Sequence, residues 1–211
     1  MYCILPFFLG FVCACLGVLP PGLLNMSASK ISVRDGKLRA VLFAVGAVIL
    51  VIFQTYISVS FAQVIGKNQK VLHVLREVGL IIFLALTIFF FYTSKKYTPK
   101  NEAFKIKSKK RSFFHGVLLS ALNFFPIPYY VFVSVALSSY GWFSFEKNEV
   151  IAFVIGAGLG SFVIFYLYIA FFKKMEKQSV FILANMNYII GTITGIITLI
   201  SLVNVVSYYL Q

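Results

Sequence analysis

The chain has 211 residues, of which 60% are hydrophobic and only 12% charged, with a mean hydropathy of +0.92; an average globular domain is about 25% charged. Such a composition excludes an ordinary soluble domain and points to an integral membrane protein. The net charge of +13 does not indicate nucleic acid, because the lysines and arginines lie in short connections beside apolar runs, where they set topology.

Taking apolar runs of about 18 or more residues as spans, the sequence predicts an all-α membrane protein of six transmembrane helices, at 4–26, 38–65, 72–93, 113–142, 150–172 and 181–209. No Lys or Arg precedes Lys30, so the first segment lacks the basic start of a signal peptide and is expected to remain as a span. The connections after the first, third and fifth helices hold fifteen basic residues and the opposite side four. That asymmetry puts both termini on the non-cytoplasmic side. The basic loop at 95–111 then faces the cytoplasm, resting on anionic lipid as a solvated linker, with a regulatory or partner-binding role as the alternative. All six acidic residues fall in or beside the breaks between apolar runs.

The first predicted helix contains Leu19-Pro20-Pro21-Gly22-Leu23-Leu24-Asn25. Neither proline can donate to the carbonyl four residues back, so Leu16 and Gly17 lose their helical partners. At membrane depth unsatisfied polar groups are costly, and broken backbone is tolerated only inside protein or along a cavity. The fourth predicted helix has a matching break, Asn123-Phe124-Phe125-Pro126-Ile127-Pro128-Tyr129-Tyr130, whose prolines strip partners from Leu122 and Phe124.

These breaks belong to a longer correspondence. Gly10 precedes Pro20 by the same distance as Gly116 precedes Pro126; Val45-Gly46-Ala47 answers Ile155-Gly156-Ala157; Val78-Gly79 answers Ile190-Gly191. The expected organisation is therefore a first three-helix repeat at 1–93, a basic linker at 94–112 and a second repeat at 113–211. An odd number of spans per repeat inverts the second copy in the membrane.

Paired Gly/Pro-interrupted helices in inverted halves point to a transporter's binding site. Each break is expected to offer carbonyls suited to an ammonium or metal cation and, beyond it, a half-helix N-terminus suited to a carboxylate. A zwitterion such as an amino acid satisfies both without a buried protein charge. The candidate binding residues are Pro20, Pro21, Gly22, Asn25, Gln54, Asn123, Pro126, Pro128 and Tyr129. Gly22 lets a ligand approach the backbone, and the Asn25 and Asn123 amides add oriented donors and acceptors. The alternative is that the prolines only kink two helices for packing.

Other polar residues carry weaker signals. Gln54 and Ser58 share a helix face, whereas Gln54, Thr55, Tyr56 and Ser58 together cannot. Asn187, Gly191, Thr194, Thr198 and Ser201 form a stripe on the sixth helix that reads as interhelical glue, and the Gly156/Gly160 and Gly191/Gly195 pairs read as close packing. His73 and His115 sit at helix starts, as interfacial residues or as proton handlers. Cys13 and Cys15 point about 200° apart on a helix and cannot clamp one ion; they read as small core residues. No nucleophile and base pair in the spans, so neither enzymatic activity, a catalytic residue, a metal site nor a cofactor is expected.

Pro20-Pro21-Gly22-Leu23-Leu24-Asn25, the basic hinge from Lys30 to Gly36, Ala44-Val45-Gly46-Ala47 and Asn123-Phe124-Phe125-Pro126 resemble the lysine exporter (LysE/RhtB) family of bacterial amino-acid exporters. The resemblance covers nearly the whole chain. It implies secondary-active export of small amphiphilic solutes, chiefly amino acids, from a bacterial inner membrane. By position it carries the first break over to Pro21, Gly22 and Asn25, and the second to Asn123 and Pro126. Leu23 stands where the family's Pro-Gly-Pro has its second proline, and two phenylalanines separate Asn123 from Pro126. The aromatic second half, with Phe125, Tyr129 and Tyr130, suits an apolar or aromatic substrate, or a cation held by ring faces. The expected partners are a small-molecule substrate and lipid, without nucleic acid; a homo-oligomer is compatible with the pattern. A non-transporting membrane scaffold and a divalent-metal exporter are the competing readings.

Overall fold

The computed structural model describes residues 3–20, 22–66 and 108–184, and within the rest 77, 80–81, 84–85, 87–89, 91–92, 188, 191–192, 195–196, 198–199, 202–203 and 205–206; for 65–66 and 172–184 it describes the backbone. Six helices are delimited: α1 (Ile4–Val18), α2 (Leu23–Asp35), α3 (Lys37–Gly66), α4 (Lys109–Ala121), α5 (Pro126–Ser139) and α6 (Lys147–Ala184). No strand occurs among the described residues. By length and composition α3 and α6 each suffice to cross a bilayer, over Lys37–Val64 and Lys147–Phe171. The pairs α1/α2 and α4/α5 pass the same test as broken spans, giving up to four among the described residues.

The predicted boundaries shift where proline and glycine dictate. The first span is two helices meeting at 76°. α2 runs to Asp35, through the stretch read as a basic hinge, because no Gly or Pro intervenes before Gly36 ends it at φ +99°. The fourth span is likewise split, with a 62° bend between α4 and α5. It stops at Ser139 rather than 142, and Gly141 (φ +73°) and Phe145 (φ +61°) turn the chain back into α6. α6 continues past 172 to Ala184: the Lys-Lys-Met-Glu-Lys-Gln stretch read as a connection consists of strong helix formers. In the predicted spans at 72–93 and 181–209 about half of the residues are described, and those are helical.

The chain forms two compact units, Met1–Val64 with Glu102–Glu176, and Ile65–Asn101 with Lys177–Gln211. Each therefore draws on both sequence halves. In the first unit α3 shows the burial pattern of a lipid-facing helix. Its Ile49, Ile52, Phe53, Ile57 and Phe61 are exposed, while Ala44, Ala47, Gln54, Thr55 and Ser58 are buried. Small and polar residues face the interior because apolar side chains lose nothing by facing lipid.

Two apolar clusters fill this unit. One joins α2 and the first part of α3 to Phe165 and Ile169 of α6, through Leu24, Ala28, Ile31 and Phe43. The other joins Ala14, Val51 and Val59 to Tyr130, Phe143, Phe145 and Phe153. Five glycines let the helices approach: a Cβ on Gly160 of α6 would meet the Phe11 carbonyl of α1, and the other four form two reciprocal pairs. A Cβ on Gly10 would collide with the Phe153 carbonyl and one on Gly156 with that of Phe7; a Cβ on Gly116 would collide with the Phe43 carbonyl and one on Gly46 with that of Phe113. Each of these four thus meets the residue three positions before its partner glycine, once between α1 and α6 and once between α4 and α3.

In the second unit the Thr87 and Thr198 hydroxyls hydrogen-bond at 3.4 Å. Gly191 lies against the Phe91 ring and Gly195 against Thr87. This is the small-and-hydroxyl contact expected of the sixth predicted helix; Asn187, Thr194 and Ser201 lie outside the described residues.

Candidate functional site

The two breaks lie in the first unit, where α1 packs on α5 and α2 on α4. At the first break the backbone turns through Gly22, extended at φ −123° and ψ −178°, and no side chain caps α2. Met26 N–H donates to the Gly22 carbonyl at 3.0 Å. Asn25, only 4% exposed, reaches back over the gap. Its Nδ2 donates to the carbonyls of Val18 (2.6 Å) and Pro20 (2.9 Å). The carbonyl between them, of Leu19, accepts from the Tyr168 hydroxyl of α6 at 2.9 Å. Ser29 anchors the following turn, its one O–H directed to Asn25 O (2.8 Å) and shared with Tyr168 O (3.1 Å). The donors of Asn25 are thus spent on the break itself, shaping it rather than facing outward. Pro20 is exposed and Gly22 half-buried; Pro21 lies outside the described residues.

At the second break the donor comes from α3. Gln54, 6% exposed, gives its Nε2 to the carbonyls of Ser120 (3.2 Å) and Asn123 (3.1 Å). Both neighbours are acceptors, which fixes the amide's orientation. Its Oε1 is buried and has no hydrogen-bond partner among the described residues, and the same holds for Ser120 Oγ. Thr55 and Ser58 are buried beside Gln54, and Tyr56 points outward at 51% exposure. So Gln54, Thr55 and Ser58 share the interior and Tyr56 does not, in keeping with the expectation that the four cannot share one face.

The α5 end of this break departs from expectation. Pro126 and Pro128 have no N–H, and the amides between and after them are used: Ile127 donates to Phe124 O and Tyr129 to Phe125 O. These first-turn residues offer no amide to a carboxylate, so the two breaks are not chemically equivalent. Pro126 is half-buried and Pro128 exposed. Asn123, half-buried, contributes its carbonyl to Gln54.

Tyr129 joins the second break to α1. Its ring lies where a Gly17 side chain would be, stacks with Phe125 at 6.1 Å between centroids, and its hydroxyl donates to Cys13 O at 2.7 Å. Cys15 Sγ lies 3.8 Å from Gly160 O, a packing contact on α6. Of the predicted residues, Asn25, Gln54 and Asn123 are thus tied to break backbone, and Tyr129 to the Cys13 carbonyl within α1. Tyr168 and Ser120 were not anticipated. A tyrosine within an apolar helix needs a partner for its hydroxyl, which was the available signal for Tyr168; Ser120 gave none beyond its place just before the break.

No curated protein and no solved structure matches the chain. The family model described as LysE type translocator matches residues 15–206, a stretch that includes both breaks, the Asn25, Gln54 and Tyr168 side chains that close on them, and Tyr129. With most of its length matched, the protein belongs to the LysE type translocator family and is a multi-pass membrane protein.

Proposed function

We propose that the protein is a secondary-active exporter of amino acids or similar small zwitterionic solutes, held between the broken helices α1/α2 and α4/α5. The observation that carries this reading is the pair of side-chain-stapled breaks, with Tyr129 of the second bonded to α1, inside a translocator-family chain. Six spans in two inverted three-helix repeats, in a bacterial inner membrane with both termini non-cytoplasmic, complete the proposal. The reciprocal glycine crossings support the repeat, since residues related by it make the same contact on opposite partners. Rocking of one repeat against the other then gives alternating access.

The non-equivalence of the breaks gives the site a direction. The uncapped start of α2 suits the carboxylate. The second break, with its amides used and acceptors left over, suits the ammonium. Pro20, Pro21, Gly22 and Asn25 then shape the first end, and Gln54, Asn123, Pro126, Pro128 and Tyr129 the second. The test is export from proteoliposomes loaded with a panel of amino acids under imposed proton or sodium gradients. Gradient-dependent efflux of at least one amino acid is expected; absence of efflux across the panel, with correctly inserted protein, overturns the reading.

A further inference from the structure

The serine and threonine hydroxyls of the first unit mostly behave as membrane hydroxyls do, bonding the carbonyl one turn back. Ser29 donates to Asn25 O, Thr55 to Val51 O, Ser58 to Gln54 O and Ser134 to Tyr130 O. Ser120 departs from this pattern. It is fully buried, its Oγ has no partner among the described residues, and its own carbonyl is one of the two held by Gln54. Gln54 Oε1 is the other unpartnered atom of the same pair. Two buried acceptors left open on residues already bonded to each other cost stability that an apolar pair would not.

We propose that Gln54 Oε1 and Ser120 Oγ form an acceptor subsite for the N–H donors of a substrate ammonium group. The inference rests on the export reading above and deepens it. An ammonium fits better than a metal ion: the nearby carbonyls of Ser120 and Asn123 already receive the Gln54 amide, leaving two oxygens, too few to replace the hydration shell of a hard cation. It fits better than an anion, because the open atom of Gln54 is an acceptor. Gln54 is thereby a two-sided residue, its nitrogen holding the break and its oxygen reading the ligand.

The test uses the full chain in proteoliposomes, with Ser120→Ala as the principal variant, since it removes one acceptor and keeps the Gln54 bonds to backbone. Gln54→Met, which removes the second acceptor as well as the staple, is compared for both activity and melting temperature. Competitors are methylammonium, which brings N–H donors, tetramethylammonium, which brings charge without them, and sodium. Ser120→Ala is expected to raise KM for amino-acid export about tenfold or more, the worth of a hydrogen bond to a charged group, with kcat close to wild type. Methylammonium competes with wild type and not with Ser120→Ala, and tetramethylammonium competes with neither. An unchanged KM, a lowered melting temperature without a KM effect, or equal competition by the two ammonium ions overturns the inference; so does competition by sodium that Ser120→Ala abolishes. Should wild type export no amino acid, the export reading fails separately. The subsite is then decided by whether methylammonium raises the melting temperature of wild type and not of Ser120→Ala.

Discussion

Asn25→Asp tests the reasoning about the first break with almost no change of shape. The wild-type amide nitrogen donates to Val18 O at 2.6 Å and to Pro20 O at 2.9 Å, in a side chain only 4% exposed. An ionised carboxylate has no donor, so both carbonyls lose their partner and face negative charge instead. Each unsatisfied buried group costs about 1–3 kcal/mol. The two together therefore cost roughly 2–6 kcal/mol, a large share of the ~5–15 kcal/mol by which a typical fold is stable. Asn25→Ala leaves the same carbonyls open without the repulsion and is expected to fall between wild type and Asn25→Asp. Both are measured by thermal unfolding of purified protein in detergent, with efflux from proteoliposomes run in parallel. Wild-type melting and efflux in Asn25→Asp at neutral pH would refute the stapling role. A partial recovery of the variant at low pH would support it, because a protonated carboxyl regains one O–H donor and so one of the two bonds.

Gly22→Ala separates packing from ligand approach: nothing lies closer than 3.9 Å to a Cβ there and φ is negative, so stability is expected within about 1 kcal/mol of wild type while efflux falls; undiminished efflux removes Gly22 from the site. Gly10→Ala and Gly116→Ala drive a methyl into a backbone carbonyl and are expected to cost at least the ~1–3 kcal/mol of core overpacking, seen as matched losses of melting temperature. Gly158→Ala, which meets only the movable Ile52 side chain, is expected to lose less than either. Tyr129→Phe removes a hydroxyl bond to Cys13 O inside α1, and Tyr168→Phe one to Leu19 O at the first break. Both are expected to cost about 1–3 kcal/mol and to slow efflux, and a double variant no worse than either single one would show that the two bonds do not hold the first broken helix independently.

Composition and hydropathy by themselves determined that this is a helical membrane chain, because a bilayer admits only segments that satisfy their own backbone. Proline chemistry located the two breaks, since a missing N–H is a covalent fact independent of packing. The glycines were visible as a spaced set, yet only the crossings showed which carbonyl each one meets, a property of helix pairs distant in sequence. The same limit applied to the breaks. The sequence put the freed carbonyls at Leu16, Gly17, Leu122 and Phe124; in the tertiary structure Phe124 O accepts from Ile127, and the side-chain donors go instead to Val18 and Pro20 (Asn25), Leu19 (Tyr168 of α6), and Ser120 and Asn123 (Gln54 of α3). It also decided that α5 spends its first-turn amides internally, so two motifs alike in sequence end with different chemistry. The physical reason is that a broken helix states a deficit locally, and what fills it comes from whichever helix packs alongside.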